Sequence, residues 1–365
     1  MDVHDLQTPT LLLHLDRVRE NVRTMLRHVD GDARRWRPHV KTCKVPQVLD
    51  LLVGAGVRRF KVATTRELAV LLASAGTTRP VDVVVAFAHH GANRQRVVEL
   101  TAAHPHHRIA MVSEDPQHAA GLAAAGIDVF VDVDPDWGRS GIPMGETQRI
   151  LAVARAAGPR LRGLHCYEGH ITDPDPAVRA QRAQPVHERV CQLACMLARP
   201  PELVTSGTPG FVAALRHEAY RSFDHAVSPG TVTYWDARSA GLGIEGFVPA
   251  VEVQARVISR PGPDRLTLDC GSKAVDAASG EPVVVVQGPW QLQPLRPSEE
   301  HLPVKVLGGD APALGELVRV VPRHVCPTVN LADEAVLLDH GKLVAVVPVG
   351  ARGHETLPSP ATSHP

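Results

Sequence analysis

Lysine is scarce in this chain. Of its 39 basic residues only six are lysines: Lys41, Lys44, Lys61, Lys273, Lys305 and Lys342. Arginine carries nearly all the positive charge, so each lysine is unusually informative. Aromatic residues make up only 4% of the chain, too few for the stacking platforms that hold single-stranded nucleic acid. Formal net charge is zero, so no basic field favours nucleic acid or an anionic membrane. No apolar run reaches the length that crosses a bilayer. The segment from Met1 to Leu13 lacks a basic stretch followed by a long apolar one, so no secretory leader is expected. The six cysteines show no disulfide-framework spacing. A reduced, cytoplasmic setting is the simplest expectation.

What is present suits a large folded enzyme. At 365 residues, with 44% hydrophobic and 21% charged residues, the chain fits one large domain plus a smaller one. Short β-rich runs alternate with helical stretches from about residue 35 to 235. The expected strands are 35–41, 60–64, 81–88, 108–113, 128–134, 161–168, 202–208 and 226–231. Alternation of this kind implies parallel βα units, and eight of them suggest an α/β fold closed into a (β/α)8 barrel. The run 81–88 is almost continuously apolar, as expected when both faces are covered. An earlier strand, 10–15, precedes a helix capped at Asp16. From Phe247 onward the texture is short strands between Gly, Pro and Asp turns, which reads as an all-β domain. The expected boundaries are 16–240 for the barrel, 1–15 with 241–353 for the β domain, and 354–365 for a flexible tail.

Barrel enzymes place their chemistry at the C-terminal ends of the strands. The first expected strand ends in Arg37-Pro38-His39-Val40-Lys41-Thr42. A lysine there points into the mouth, where partial desolvation favours Schiff-base chemistry. Two late strands end in small-residue turns, Thr205-Ser206-Gly207 and Ser228-Pro229-Gly230-Thr231. Such turns form phosphate cradles from backbone N–H groups and hydroxyls. A lysine facing a phosphate cup is what pyridoxal phosphate (PLP) requires. The fifth strand leads to Arg139 and the sixth to Tyr167 and His170. Arg139 reads either as a cofactor contact or as a solvent arginine, and His170 reads equally as structural. Downstream, His324 and Cys326 stand two apart. On an extended strand they share a face, and imidazole plus thiolate suits zinc or another transition ion with open coordination positions. Cys191 and Cys195 read as core or surface thiols.

Four segments together resemble the D-threonine aldolase and D-serine dehydratase family: Arg37 to Lys44, Tyr167 to His170, Asp269 to Ala274, and Pro322 to Asn330. These are fold-type III PLP enzymes with a barrel of alanine racemase type. The resemblance runs in order from about Thr8 to Gly353. It implies that Lys41 holds the cofactor, that Arg139 and Tyr167 lie near its ring, and that Thr205, Ser206, Gly207, Gly230 and Thr231 hold its phosphate. It also implies that His324 and Cys326 bind a divalent ion, zinc or manganese, beside the substrate's β-hydroxyl. Two positions depart from the family pattern: Cys43 stands where histidine is usual, and Val232 where tyrosine is usual. Cysteine at the second metal position is the dehydratase habit, whereas the Cys-Pro-Thr-Val-Asn wording is aldolase-like.

The expected function is therefore a lyase on a D-3-hydroxy amino acid, with retro-aldol cleavage to glycine and an aldehyde. The alternative is elimination to a keto acid and ammonia. A racemase would take a tyrosine base from the C-terminal domain, but Tyr167, Tyr220 and Tyr234 all precede it. Single-domain PLP-binding proteins share the barrel but lack the β domain and its His-Cys pair. The expected partners are a small D-amino acid and a second copy of the chain in a homodimer, with no nucleic acid and no membrane.

Overall fold

The structure is a computed structural model and describes residues 3–356. It divides into two compact units. One comprises Met25–Lys41, Leu49–Gly230 and the chain from Gly353; the other comprises the chain up to Thr24, Thr42–Val48 and Thr231–Arg352. The expected tail at 354–365 lies mostly outside the described residues. Among the described residues no helix is long and apolar enough to cross a membrane.

The first unit is built on a parallel sheet. Its strands run Arg59–Val62, Asp82–Val85, Arg108–Ser113, Asp128–Asp134, Leu161–Cys166, Glu202–Thr205 and Asp224–Val227, paired in that order. A short strand, Ile142–Pro143, adds to the edge of Asp128–Asp134. Helices follow the strands, as right-handed parallel crossovers require. Thr65–Ala75 shows how their starts are set: the Thr64 hydroxyl accepts from the Glu67 N–H, and the Glu67 carboxylate accepts from the Ala63 N–H 2.7 Å away.

The expected first strand, 35–41, differs. It forms only isolated parallel bridges, Trp36 to Val227 and His39 to Lys61. The backbone N–H of Arg37 donates to Val227 O, and that of Lys61 to Pro38 O. The regular ladder therefore has seven consecutive parallel strands, not the eight of a fully laddered barrel. Pro38 cannot donate to a ladder, and the chain turns into a short helix, Val40–Cys43, just where the strand was expected to end.

Charged side chains close the N-terminal end of this sheet. Buried Arg37 pairs with Asp82 at 2.9 Å and with Glu202, and Arg162 pairs with Asp82 at 2.7 Å and with Glu202. Asp82 and Glu202 each open a strand. Above them Val84, Ala110, Val112, Phe130 and Val204 form an apolar layer. The opposite, C-terminal end of the sheet is left for chemistry.

The second unit is a largely antiparallel sheet. Val251–Gly262 pairs with Thr10–His14, Arg265–Leu268 and Leu317–Pro322. Thr10–His14 pairs in parallel with Glu334–Asp339, which turns back through Lys342–Pro348. Glu252 ties the first strand to the following helix: it lies 2.9 Å from both His14 and Arg17.

Candidate active site

Arg139, Tyr167, Ser206, Gly207 and Gly230 all follow the C-terminal ends of strands in the parallel unit. The loop carrying Arg139 is folded by Asp134, whose carboxylate accepts from the N–H groups of Trp137 at 2.9 Å and Gly138 at 2.8 Å. Positive φ at Asp136 and Gly138 completes the turn. The Arg139 guanidinium then lies 4.0 Å from the Trp137 ring centroid and 5.0 Å from that of Tyr167. His170 stacks obliquely against Trp137, with ring centroids 5.6 Å apart. The Tyr167 ring lies against Gly207: a Cβ there would sit 2.6 Å from the ring carbon Cε2. Any side chain at 207 would displace that ring.

The two small-residue turns are held together from beneath. The Ser228 N–H donates to Thr205 O at 3.0 Å and to Ser206 O at 2.8 Å. Trp36 Nε1–H donates to Pro229 O at 3.0 Å. Ser206 takes a left-handed backbone conformation, φ +54°, and its hydroxyl donates to Glu168. The Thr205 hydroxyl lies 2.8 Å from His225 Nε2, inside the sheet, so it serves the interior of the unit. The Ser228 hydroxyl is different. It is buried and has no hydrogen-bond partner among the described residues. An unmet buried hydroxyl in a Ser-Pro-Gly turn is what a bound phosphate would satisfy, so this observation fits the PLP phosphate expected there.

Lys41 lies in the Val40–Cys43 helical turn, not on a strand. Its side chain is exposed, so the desolvation expected at a strand end is not what surrounds it. Its backbone N–H donates to His39 Nδ1 at 3.3 Å.

Three residues that the sequence reading did not select form a buried chain in the same unit. Lys61 Nζ lies 3.4 Å from His165 Nε2, and His165 Nδ1 lies 2.7 Å from Asp132 Oδ1. Burial, aided by Lys41, pulls the Lys61 amine down to about 7. Burial and then Lys61 also lower His165, against the pull of Asp132. Glu168 is raised, chiefly by burial. The one available signal for Lys61 was the scarcity of lysine.

The expected metal pair belongs to the other unit, and its geometry corrects the expectation of a shared strand. His324 and Cys326 do not share an extended strand: Val325–Leu331 is a helix, with His324 at its N-cap and Cys326 in its first turn. His324 Nδ1 lies 3.0 Å from Asp236 Oδ2, and the Val325 N–H donates to the same oxygen. Asp236 is fully buried and also accepts from the Ser239 N–H. Held this way, His324 carries its proton on Nδ1 and keeps Nε2 as a lone-pair donor, the arrangement that a metal-binding histidine needs. Cys326 Sγ lies 3.0 Å from the Thr42 hydroxyl and 3.6 Å from that of Thr231. Thr42 and Thr231 directly follow Lys41 and Gly230 in the chain. No group of three or more His, Cys, Asp or Glu side chains suited to an ion occurs among the described residues. Imidazole and thiolate are donor types that suit zinc or a similar ion.

The two departures in the sequence are both buried. Cys43 accepts a hydrogen bond at its carbonyl from the Tyr234 hydroxyl, 2.7 Å away, and Val232 is fully enclosed. The Tyr234 ring is thus used within the unit as packing and as a backbone tie.

Residues 13–238 match the family described as alanine racemase, N-terminal domain. The chain belongs to that family. Residues 250–338 match a second family, described as "Putative serine dehydratase domain", and this span includes His324 and Cys326. The D-threonine aldolase of Arthrobacter sp is 29% identical over 362 residues, covering 95% of this chain and 93% of that protein. The 3-hydroxy-D-aspartate aldolase of Paracoccus denitrificans is 28% identical over 377 residues, covering 97% and 94%. The crystal structure of D-threonine aldolase from Filomicrobium marinum superposes with a TM-score of 0.85 at 26% identity, covering 96% of each chain. This alanine racemase-type protein therefore stands in the D-threonine aldolase and D-serine dehydratase group and is a fold-type III PLP-dependent lyase.

Proposed function

We propose that the chain is a PLP- and divalent-metal-dependent lyase that cleaves a D-3-hydroxy amino acid in retro-aldol fashion, giving glycine and an aldehyde. The observation that carries this reading is His324, braced by buried Asp236 so that Nε2 is free to ligate, with Cys326 two residues on. A racemase or a plain PLP-binding protein has no use for such a pair, whereas a lyase acting on a β-hydroxyl does. Bound PLP supplies an electron sink, and a bound zinc or manganese ion supplies a Lewis acid for the hydroxyl.

The chain's own residues divide the work. Lys41 supplies the amine that anchors the cofactor. Ser228, Gly230, Thr231 and the backbone of Ser206 and Gly207 would hold its phosphate, with Thr205 fixing the turn through His225. Tyr167 shapes the wall beside Gly207, and Arg139 stacks on that ring and adds positive charge. His324 and Cys326 hold the ion, and Asp236 fixes the imidazole tautomer. The same reading takes 36–39 as the eighth strand that closes a (β/α)8 barrel, supported by its bridges to Val227 and Lys61. It also includes a cytoplasmic homodimer.

A second reading, elimination to a keto acid and ammonia, is favoured by the serine dehydratase match across the metal pair. Both readings need the ion. Exhaustive chelation should abolish turnover while leaving the PLP absorption band intact, and added zinc or manganese should restore it. Turnover that survives chelation with no divalent ion bound would contradict the proposal.

A further inference from the structure

Lys61 has no part in the roles assigned above, yet its placement is specific. It pairs in register with Val84 of the interior apolar layer, so its side chain enters the inside of the sheet. It is only 4% exposed. Burying an ammonium costs several kcal/mol unless it is paired. Here no carboxylate lies within ion-pair distance of Lys61 among the described residues. Asp132 stands one group further back, behind His165. Glu168 is engaged with Ser206.

The hydrogen-bond chain suits a neutral amine that can also be charged. With Asp132 as acceptor, His165 carries its proton on Nδ1 and offers a lone pair on Nε2. Lys61 donates to that lone pair in either protonation state. Tyr167 links this amine to the phosphate turn: Lys61 Nζ is 5.2 Å from the ring centroid, and the same ring lies against Gly207. The charged groups acting on Lys61 are Lys41, Arg139, Asp132 and Glu168, with His165 and Tyr167 in direct contact. Burial and the like charge of Lys41 outweigh the two carboxylates and leave the amine at about 7.

We propose that Lys61 takes up a proton when the anionic cofactor enters the site, so that cofactor capture is coupled to pH. This rests on the PLP reading given above. The step is a proton transfer to the Lys61 amine: one N–H bond forms as the buffer acid's bond to that proton breaks and leaves its conjugate base, no bond to the cofactor is made, and His165 Nε2 remains the acceptor. Protonation becomes favourable because a phosphate and a ring oxyanion bring in the negative charge that the buried amine lacks. Lys61 acts here as a positioning residue, and its effect is read in binding.

The test is calorimetric titration of the cofactor-free full chain with PLP at pH 8, in two buffers of different ionisation enthalpy. Comparison with Lys61→Met cancels protons exchanged at Lys41 and on PLP itself. Wild type should take up more protons than Lys61→Met, approaching one per site. Its affinity should fall relative to that variant by up to about tenfold per pH unit above pH 8. Lys61→Arg, always charged, should bind PLP with no such pH dependence relative to Lys61→Met. Equal proton stoichiometry in wild type and Lys61→Met overturns the proposal. Should Lys61→Met not fold, equal proton stoichiometry in wild type and Lys61→Arg overturns it instead. Absence of any PLP absorption band would reject the cofactor reading and this inference with it. A normal band without the proton difference rejects this inference alone.

Discussion

At the scale of single residues, the account turns on a lysine and a cysteine. Lys41 is exposed and lies in a helical turn. Borohydride reduction of the PLP-loaded protein should place the label on Lys41, and Lys41→Ala should abolish both label and turnover. Peptide mapping that puts the label on Lys61 would contradict the assignment. Cys326 is buried beside the Thr42 and Thr231 hydroxyls. Cys326→Ala should lose the ion and at least about a hundredfold in activity, the upper end of what even indirect supports of a metal site cost. Cys326→Asp should regain activity with manganese, a harder ion that accepts a carboxylate. Metal analysis alongside the rate measurement separates this from simple loss of fold. The positions of Arg139, Tyr167 and the two small-residue turns after strand ends were legible in the sequence, because the strands before them read as apolar runs in order. Lys61, His165 and Asp132 were not. They come from three strands far apart in the chain: register pairs Asp132 with His165, and Lys61 meets His165 from a strand that is not its neighbour.

At the scale of elements, the ion pairs at the N-terminal end of the sheet make the clearest prediction. Burial alone would raise the Asp82 carboxyl, but Arg37 and Arg162 outweigh it and hold it at about 2. Its ordinary value is near 3.9. The stability this carboxylate adds is therefore present above about pH 4 and is lost as pH falls toward 2. Asp82→Asn should cost roughly 3–5 kcal/mol at neutral pH, because Arg37 and Arg162 each lose a partner in a buried network. It should also flatten the acid part of the stability curve. Denaturant unfolding at pH 7, 4 and 2.5 checks both effects, and an unchanged midpoint at pH 7 would contradict the role given to these pairs. The strands themselves were legible because buried parallel strands read as apolar runs, Asp82–Val85 above all. Two elements were misread for physical reasons. The 36–39 segment makes only isolated bridges, because Pro38 removes a donor and the chain turns into a helix at Val40. Val325–Leu331 is rich in residues that favour strands, but its proline sits at the third helical position, where the N–H is unpaired in any case.

At the scale of the whole molecule, the two units hold different parts of the chemistry. The parallel unit carries Lys41 and most residues of the two small-residue turns, and the other unit carries His324 and Cys326. A homodimer is the assembly this reading expects, and light scattering at micromolar concentration should give twice the chain mass. A fully active monomer would contradict it. The outcome of the reaction was the least legible feature. Aldol cleavage and elimination differ in which substrate bond stands perpendicular to the cofactor plane, and residue types alone do not fix that angle. Product identification tests the central claim most directly. The PLP- and metal-loaded protein is incubated with D-threonine, D-serine and 3-hydroxy-D-aspartate, and the products are separated. Glycine and the matching aldehyde, from at least one of these substrates, are the predicted result. A keto acid with ammonia, or no consumption of any D-3-hydroxy amino acid, would contradict it.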